Sequence, residues 1–507
     1  GYDAESCFDV EKDFGTMDDF DALIAAAKEK NIKIIWDLVI NHVSENHPWF
    51  LKSLAQNEKY KDYFVWRDAL PENYGVAWGE KVDPRAVWHT KKERPGFYYA
   101  AFGWTQPDLN FKNPAVIEEI KNVASFWLNK GVDGFRLDAI RYLVEGDSIE
   151  TQADTPETLA IWKDFSAHVK SVNPKALLVG EALTQTDKIA TYYQNGLGID
   201  TAFDFGFGYL MQDILRPLPA LSNDEDTNEE GESNNPSSSQ DNSRRERDQM
   251  SKSMRQAIWQ KLAMQHNNAE VPGYFYSSFT NNHDHSRLGF NLSPEKDSAS
   301  SWAREKIAAS LLLLTPGTKY LYYGEEIALN QASDKDSLHQ RSLMQWDSSD
   351  NAGFNQTQQR WIDSGQWFFW IDNYRPWWKD YWNTSDNKQR SVQHQESTQG
   401  SVLQHYRKLI ALKKNDPVLN QPEKLRLYEE TGMVWVNEYL SNTHKNRWVL
   451  VNLDPENEQT VLLPSGLNGQ FKNLINDSSI DLFGEHTLAP GETLVFVEQE
   501  QAEQMKQ

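Results

Sequence analysis

Short apolar runs alternate with longer segments whose apolar residues recur every three or four positions through much of this chain. Thr16 followed by Asp19, just ahead of Phe20, Leu23, Ile24 and Ala27, predicts a capped helix, because hydroxyl and carboxylate satisfy N–H groups that a first turn leaves unpaired. Lys33 to Ile40 is an isoleucine-rich run that suits a strand buried on both faces. Asn113 and Pro114 open another helix, with Val116, Ile117, Ile120, Val123, Ala124 and Trp127 on one face and Gly131 closing it. The pattern predicts further strands at Gly134 to Asp138, Ala176 to Val179, Thr201 to Phe205, Tyr274 to Phe279 and Tyr320 to Tyr323. Helices are predicted at Pro156 to Val172, Trp302 to Leu314 and Val402 to Lys413. Repeated strand and helix units of this kind imply an α/β fold, a parallel sheet with helices outside it.

Three stretches interrupt the rhythm. Residues 43–112 form a long aromatic excursion, too long for a plain loop, and read as an inserted subdomain. Ser222 to Gln249 holds no aliphatic or aromatic residue and is expected to be a disordered insertion. Gln331 to Gly400 is polar apart from an aromatic patch running from Trp361 to Trp382, which suits packing and a ligand platform equally. Beyond Pro417 the runs become short and alternating, at Met433 to Tyr439, Arg447 to Leu453 and Thr493 to Val497, which predicts an appended antiparallel β-sandwich. The resulting division is a barrel-type domain over 1–42 and 113–416, an inserted domain over 43–112, and a C-terminal sandwich over 417–507.

Charge narrows the partners. Acidic residues number 74 against 51 basic ones, so a nucleic acid or an anionic membrane would be repelled, and a neutral or cationic ligand fits better. The leucine run Leu311 to Leu314 is far short of a membrane span. A single cysteine, Cys7, excludes an intrachain disulfide framework. Cytoplasmic, periplasmic and secreted settings all remain compatible. The 19 tryptophans exceed what a core needs and turn attention to flat ligands such as sugar rings.

In a parallel barrel the reactive residues sit at the carboxyl ends of strands. Asp37, Asn41 and His42 end one predicted strand, Arg136 and Asp138 the next, Glu181 a third, and His283 with Asp284 follow a fourth. Arg136 and Asp138 are two apart, so alternation puts them on the same side, and the guanidinium is expected to keep Asp138 ionised. Any one such carboxylate is more often a cap or a solvated loop residue. Three that converge on an aromatic mouth suggest glycoside cleavage, with Glu181 requiring a raised pKa to stay protonated near neutrality. The His283, Asp284 and His285 run lacks the spacing of a structural zinc site.

At these residues the sequence resembles the alpha-amylase family, glycoside hydrolase family 13. The segments are Asp37-Leu-Val-Ile-Asn-His42, Gly134-Phe-Arg-Leu-Asp138, Val179-Gly-Glu181 and Phe279-Thr-Asn-Asn-His-Asp284. Gln106-Pro-Asp-Leu-Asn110 and the run from Gly317 through Glu325 resemble two further family segments. The resemblance implies a TIM (β/α)8-type barrel in which Asp138 is nucleophile, Glu181 general acid and base, and Asp284 a third carboxylate gripping the sugar. It also places Asp3, His42, Arg136 and His283 against the same glucose. Since Gly1 resembles the start of the loop after the family's second strand, the first two barrel strands are expected to lie upstream, and the chain to be a truncated one.

Two departures stand out. Cys7 occupies the place of a stacking tyrosine, with Phe8 beside it, and Tyr142 takes the place of a histidine found in calcium-dependent amylases. The resemblance therefore implies no cofactor for the chemistry. Structural calcium is a family option, but its site next to the nucleophile is expected to be absent. The expected activity is retaining hydrolysis of alpha-1,4-glucosidic bonds in starch-type glucans or maltooligosaccharides, Ala139 resembling members with that preference. Alternatives are an exo-acting alpha-glucosidase or oligo-1,6-glucosidase, which Gln106 to Asn110 resembles, and a transglycosylase such as trehalose synthase. A catalytically silent binding member of the family is the non-enzyme alternative.

Overall fold

The computed structural model describes residues 2–72, 76, 78, 81–146, 148–215, 257, 271–292, 298–331, 340–341, 343–349, 352–353, 388–428 and 431–499. The chain forms two compact units, Gly1–Phe205 and Gly206–Gln507. The expected insertion at Ser222 to Gln249 and the aromatic patch from Trp361 to Trp382 lie outside the described residues.

In the first unit, helix α1 (Met17–Glu29) starts as its capping residues dictate. Asp19 N–H donates to the Thr16 hydroxyl at 3.3 Å, and Thr16 N–H donates back to the Asp19 carboxylate at 2.8 Å. Strand β1 (Ile35–Leu38) follows, then a short helix α2 (Pro48–Leu54). Strands β2 (Trp66–Arg67), β3 (Trp88–Lys91) and β4 (Arg94–Tyr99) form a three-stranded antiparallel sheet in the order β2-β4-β3. Helix α3 (Pro114–Lys130) is capped by Asn113 and ends at Gly131, whose φ of 103° is left-handed backbone that glycine adopts freely. Strand β5 (Gly134–Leu137), helix α4 (Pro156–Val172), strand β6 (Leu177–Gly180) and strand β7 (Thr201–Asp204) complete the alternation.

Strands β1, β5, β6 and β7 lie side by side and parallel, with Asp37 opposite Arg136 and Arg136 opposite Val179. Gly134 is required where β5 meets β6, since a Cβ there would stand 2.1 Å from the Leu177 carbonyl oxygen. Phe135, Leu137, Leu178 and Val179 are buried. Helices α3 and α4 bury Ile120, Trp127, Trp162 and Phe165, and the Trp162 indole donates to the Ile140 carbonyl at 2.7 Å. That bond fixes the chain beyond β5, where the chemistry is expected.

The second unit holds strand β8 (Tyr276–Ser278) and the helix Ala299–Leu314, whose Leu311 to Leu314 pack with Leu409 and Val449. The run Tyr320 to Tyr323 forms no strand. A single parallel bridge, Ser278 with Lys319, is all that pairs there. The backbone turns instead, with Glu325 N–H donating to the Tyr322 carbonyl at 3.0 Å. The Tyr322 and Tyr323 rings each lie 4.6 Å from the Arg287 guanidinium. The aromatic character of Tyr322 and Tyr323 serves cation contacts rather than a pleat.

Strands β9 (Lys424–Tyr428), β10 (Val434–Leu440), β11 (Arg447–Asn452), β13 (Gly469–Asn473), β14 (Ser478–Leu482) and β16 (Thr493–Glu498) make a six-stranded antiparallel sheet ordered β14-β13-β16-β11-β10-β9, and β12 (Gln459–Leu462) pairs with β15 (Glu485–Leu488). Val434, Trp448, Leu450, Phe471 and Phe496 form their shared core. Among the described residues no helix is long and apolar enough to cross a membrane.

Candidate active site

Strand alternation in β5 points Arg136 and Asp138 to one side, and register places Arg136 between the ends of β1 and β6. Its guanidinium gathers three carboxylates. Nη1 donates to Asp37 at 2.8 Å and also to Asp138, while Nη2 lies 2.9 Å from Glu181 Oε2. A second tie joins the pair, since Ala139 N–H donates to Glu181 Oε2 at 3.2 Å. Ala139 makes that bond from left-handed backbone, φ 49°, an uncommon conformation for a non-glycine residue. Asp138 and Glu181 are thus brought together, as the sequence predicts.

The charge state differs from the expectation. Burial pushes the Asp138 carboxyl up to about 8, against the opposing pull of Arg136 and with the help of the Glu181 and Asp37 charges. One guanidinium shared among three acids does not offset desolvation.

His42 is buried, and burial drives its imidazole down to about 4, so the ring is neutral. Its Nε2 lies 3.1 Å from the Tyr2 carbonyl oxygen. The Tyr2 hydroxyl donates to Asp37 at 2.9 Å, and the Arg136 guanidinium sits 5.6 Å from the Tyr2 ring. His42 and Arg136 are linked through Tyr2. Asp3, next in the chain, is exposed. Behind His42, Asp108 accepts from Asn41 at 2.5 Å and from Ala101 N–H at 2.8 Å, which holds the Gln106 to Asn110 segment against the end of β1.

In the second unit His283 Nε2 lies 3.1 Å from Asp284 Oδ2. Arg341 donates to Asp284 at 3.0 Å and to the His283 carbonyl at 3.1 Å, fixing both. The predicted residues therefore form two groups: Asp3, His42, Arg136, Asp138 and Glu181 in one unit, His283 and Asp284 in the other.

Sequence reasoning missed four residues. Tyr2 and Arg341 are positioning partners with no periodic signal. Phe102 and Trp78 form an exposed aromatic wall, their rings 6.0 Å apart, with Phe102 5.1 Å from His42 and 5.8 Å from Tyr142. Their one cue was aromatic density in the 43–112 segment. Cys7 and Phe8 offer no such face. The Cys7 thiol, pushed up to about 12 by burial, lies 3.7 Å from His47, and Phe8 packs edge-on against Phe126 at 5.3 Å.

Comparison with known proteins gives the class that this fold and these strand-end residues define. The alpha-amylase catalytic-domain model matches residues 1–219 and 224–422. The chain belongs to that family. Alpha-amylase 3 of Dictyoglomus thermophilum is 30% identical over 419 residues, 82% of this chain and 66% of that protein. The human amino acid transporter heavy chain SLC3A1 is 28% identical over 95% of this chain and 66% of its own length. The chain thus spans just under two thirds of both relatives. The crystal structure of alpha-amylase from H. orenii matches with a TM-score of 0.73 at 24% identity, covering 98% of this chain and 87% of that one. The fold is accordingly the TIM-barrel type with a C-terminal antiparallel sandwich, as read from the sequence.

Proposed function

We propose that the protein is a retaining glycoside hydrolase that cleaves alpha-1,4-glucosidic bonds in starch-type glucans or maltooligosaccharides. The observation that carries this reading is the placement of Asp138 and Glu181 on the two Nη atoms of one guanidinium, at adjacent strand ends. Asp37, Asp138 and Glu181 outnumber the single cation among them, so the site favours positive charge. The oxocarbenium-like transition state of glycoside cleavage supplies it.

In this mechanism an Asp138 oxygen attacks the anomeric carbon while Glu181 gives its proton to the departing glycosidic oxygen. A covalent glycosyl ester forms and the aglycone leaves as an alcohol. Glu181, now ionised, takes a proton from water, whose oxygen displaces Asp138 and restores the starting configuration. Asp138 attacks as the anion, so it must first lose the proton that burial favours, and the Arg136 contact is the pull toward the ionised form. In the first unit neutral His42 and Asp3 are assigned to grip sugar hydroxyls, and in the second unit Asp284 and His283, both held by Arg341, are proposed as sugar-binding residues. Phe102 and Trp78 give the rings an apolar face. No calcium is assigned beside Asp138, because Tyr142 sits in an apolar cluster with Val76, Val87, Trp88 and Tyr99.

Chain-end action is the second reading, favoured by the Gln106 to Asn110 segment that Asp108 anchors. Incubation with maltose, isomaltose, sucrose and soluble starch, with products followed by chromatography and proton NMR, tests both. Alpha-configured products released from starch support the first reading. Glucose alone, from short substrates, would replace it with the second, and initial release of the beta anomer would sink the retaining mechanism.

A further inference from the structure

The second unit contains a cleft of about 740 Å³ that the reactive residues do not line. That volume falls within the range of small-molecule sites, roughly 300 to 1,000 Å³. Its walls include Tyr274, Leu321 and Ile410, all exposed, and three lysines, Lys319, Lys413 and Lys414. Among the residues lining it none is acidic, in a chain whose net charge is −23. A cationic cleft in so acidic a molecule selects for an anion.

Geometry separates the roles of the lysines. Lys319 donates to the Thr315 hydroxyl at 2.7 Å and the Pro316 carbonyl at 2.8 Å, finishing the end of the helix Ala299–Leu314. Lys413 is buried and donates to the Thr315 carbonyl at 2.8 Å, one bond from a group with three donors. Burial lowers its ammonium to about 8, and a bound anion would offset that loss of hydration. Lys414 is exposed, and no ion pair joins it to another described residue. Thr318, Asn420 and Gln421 add hydroxyl and amide groups along the rim. Lysine meets phosphate as a point charge, an aromatic face suits the C–H face of a pyranose, and amides suit sugar hydroxyls.

We propose that this cleft binds a phosphorylated monosaccharide, with the phosphate between Lys413 and Lys414 and the sugar ring against Tyr274. Such a ligand is a phosphorylated form of the unit that the proposed substrate is built from, and it would act at a site separate from the bond-breaking carboxylates.

Calorimetric titration of the full chain with glucose 6-phosphate, and separately with glucose and with inorganic phosphate, tests this. Glucose 6-phosphate should bind at least about tenfold more tightly than either fragment, and Lys414→Glu and Tyr274→Ala should each weaken it about tenfold. Both side chains are exposed, so melting temperatures should not move, and Lys414→Gln provides a milder check. Absence of glucose 6-phosphate binding, equal affinity for inorganic phosphate, or unchanged affinity in either variant would overturn the proposal. None of these outcomes bears on starch hydrolysis, so the two readings stand or fall separately.

Discussion

Arg136 in the first unit and Arg390 in the second both sit beside carboxylates, with side chains 12% and 2% exposed. Arg136 serves Asp37, Asp138 and Glu181, and Asp37 remains 44% exposed. Arg390 lies 3.9 Å from Glu305 and donates to the Ala328 carbonyl. The neighbouring Glu325 accepts from Tyr406 at 2.6 Å and from Asn281 at 3.0 Å, both neutral donors. Burial pushes Glu305 and Glu325 up to about 7. In the sealed cluster the acids avoid surplus charge by holding protons and neutral partners. In the open cluster charge exceeds what one arginine balances, and an incoming ligand can supply the remainder. Surplus charge combined with access is what separates the proposed reactive cluster from the sealed one.

The contrast is most exposed to failure at Asp138. Asp138→Asn should lower kcat on a maltooligosaccharide about 10⁴-fold while leaving the melting temperature in place, and near-normal turnover would end the nucleophile assignment. Arg390→Met should do the reverse. It leaves Glu305 without its cation and should cost about 3 kcal/mol in denaturant titration above pH 7, where that carboxyl has lost its proton, with turnover per folded molecule preserved. Equal stability would show that the sealed pair is dispensable.

A third prediction concerns pH. Folded, Glu305 holds its proton to about 7, against an ordinary value of 4.5, so the native state binds more protons and stability falls as pH rises. Its contribution is fully present below 4.5 and lost by the time pH has risen through about 7. Glu305→Gln should remove up to about 1.4 kcal/mol per pH unit from the slope of stability between those limits. An unaltered slope would refute the raised value. The smallest effect is expected from Tyr2→Phe, which deletes one hydrogen bond to Asp37 and should cost about 1 kcal/mol, a fivefold fall in kcat/KM. A drop as large as that of Asp138→Asn would promote Tyr2 from positioning to catalysis.

Much of this arrangement was readable from local rules. The Thr16 and Asn113 caps, the Gly131 terminator and the two-residue spacing of Arg136 and Asp138 depend on neighbours in the chain, and the folded protein follows them. What escaped depends on distant neighbours. Tyr320 to Tyr323 carries an apolar strand-like run, yet its rings answer to Arg287, more than thirty positions away. Phe102 and Trp78 come together through loops that no periodicity describes. The protonation of Asp138 was misjudged because the sequence displays the adjacent guanidinium but conceals how much water is removed and how many other acids share that cation.

Ala139 adds a constraint on redesign. Its left-handed turn aims an N–H at Glu181 at the expense of about 1 kcal/mol of backbone strain, tolerable with a single methyl. A side chain branched at Cβ would fit that conformation far less well. Swapping valine into this position would therefore loosen the turn whose N–H meets Glu181, the proposed proton donor, so a change made there for selectivity would also act on stability.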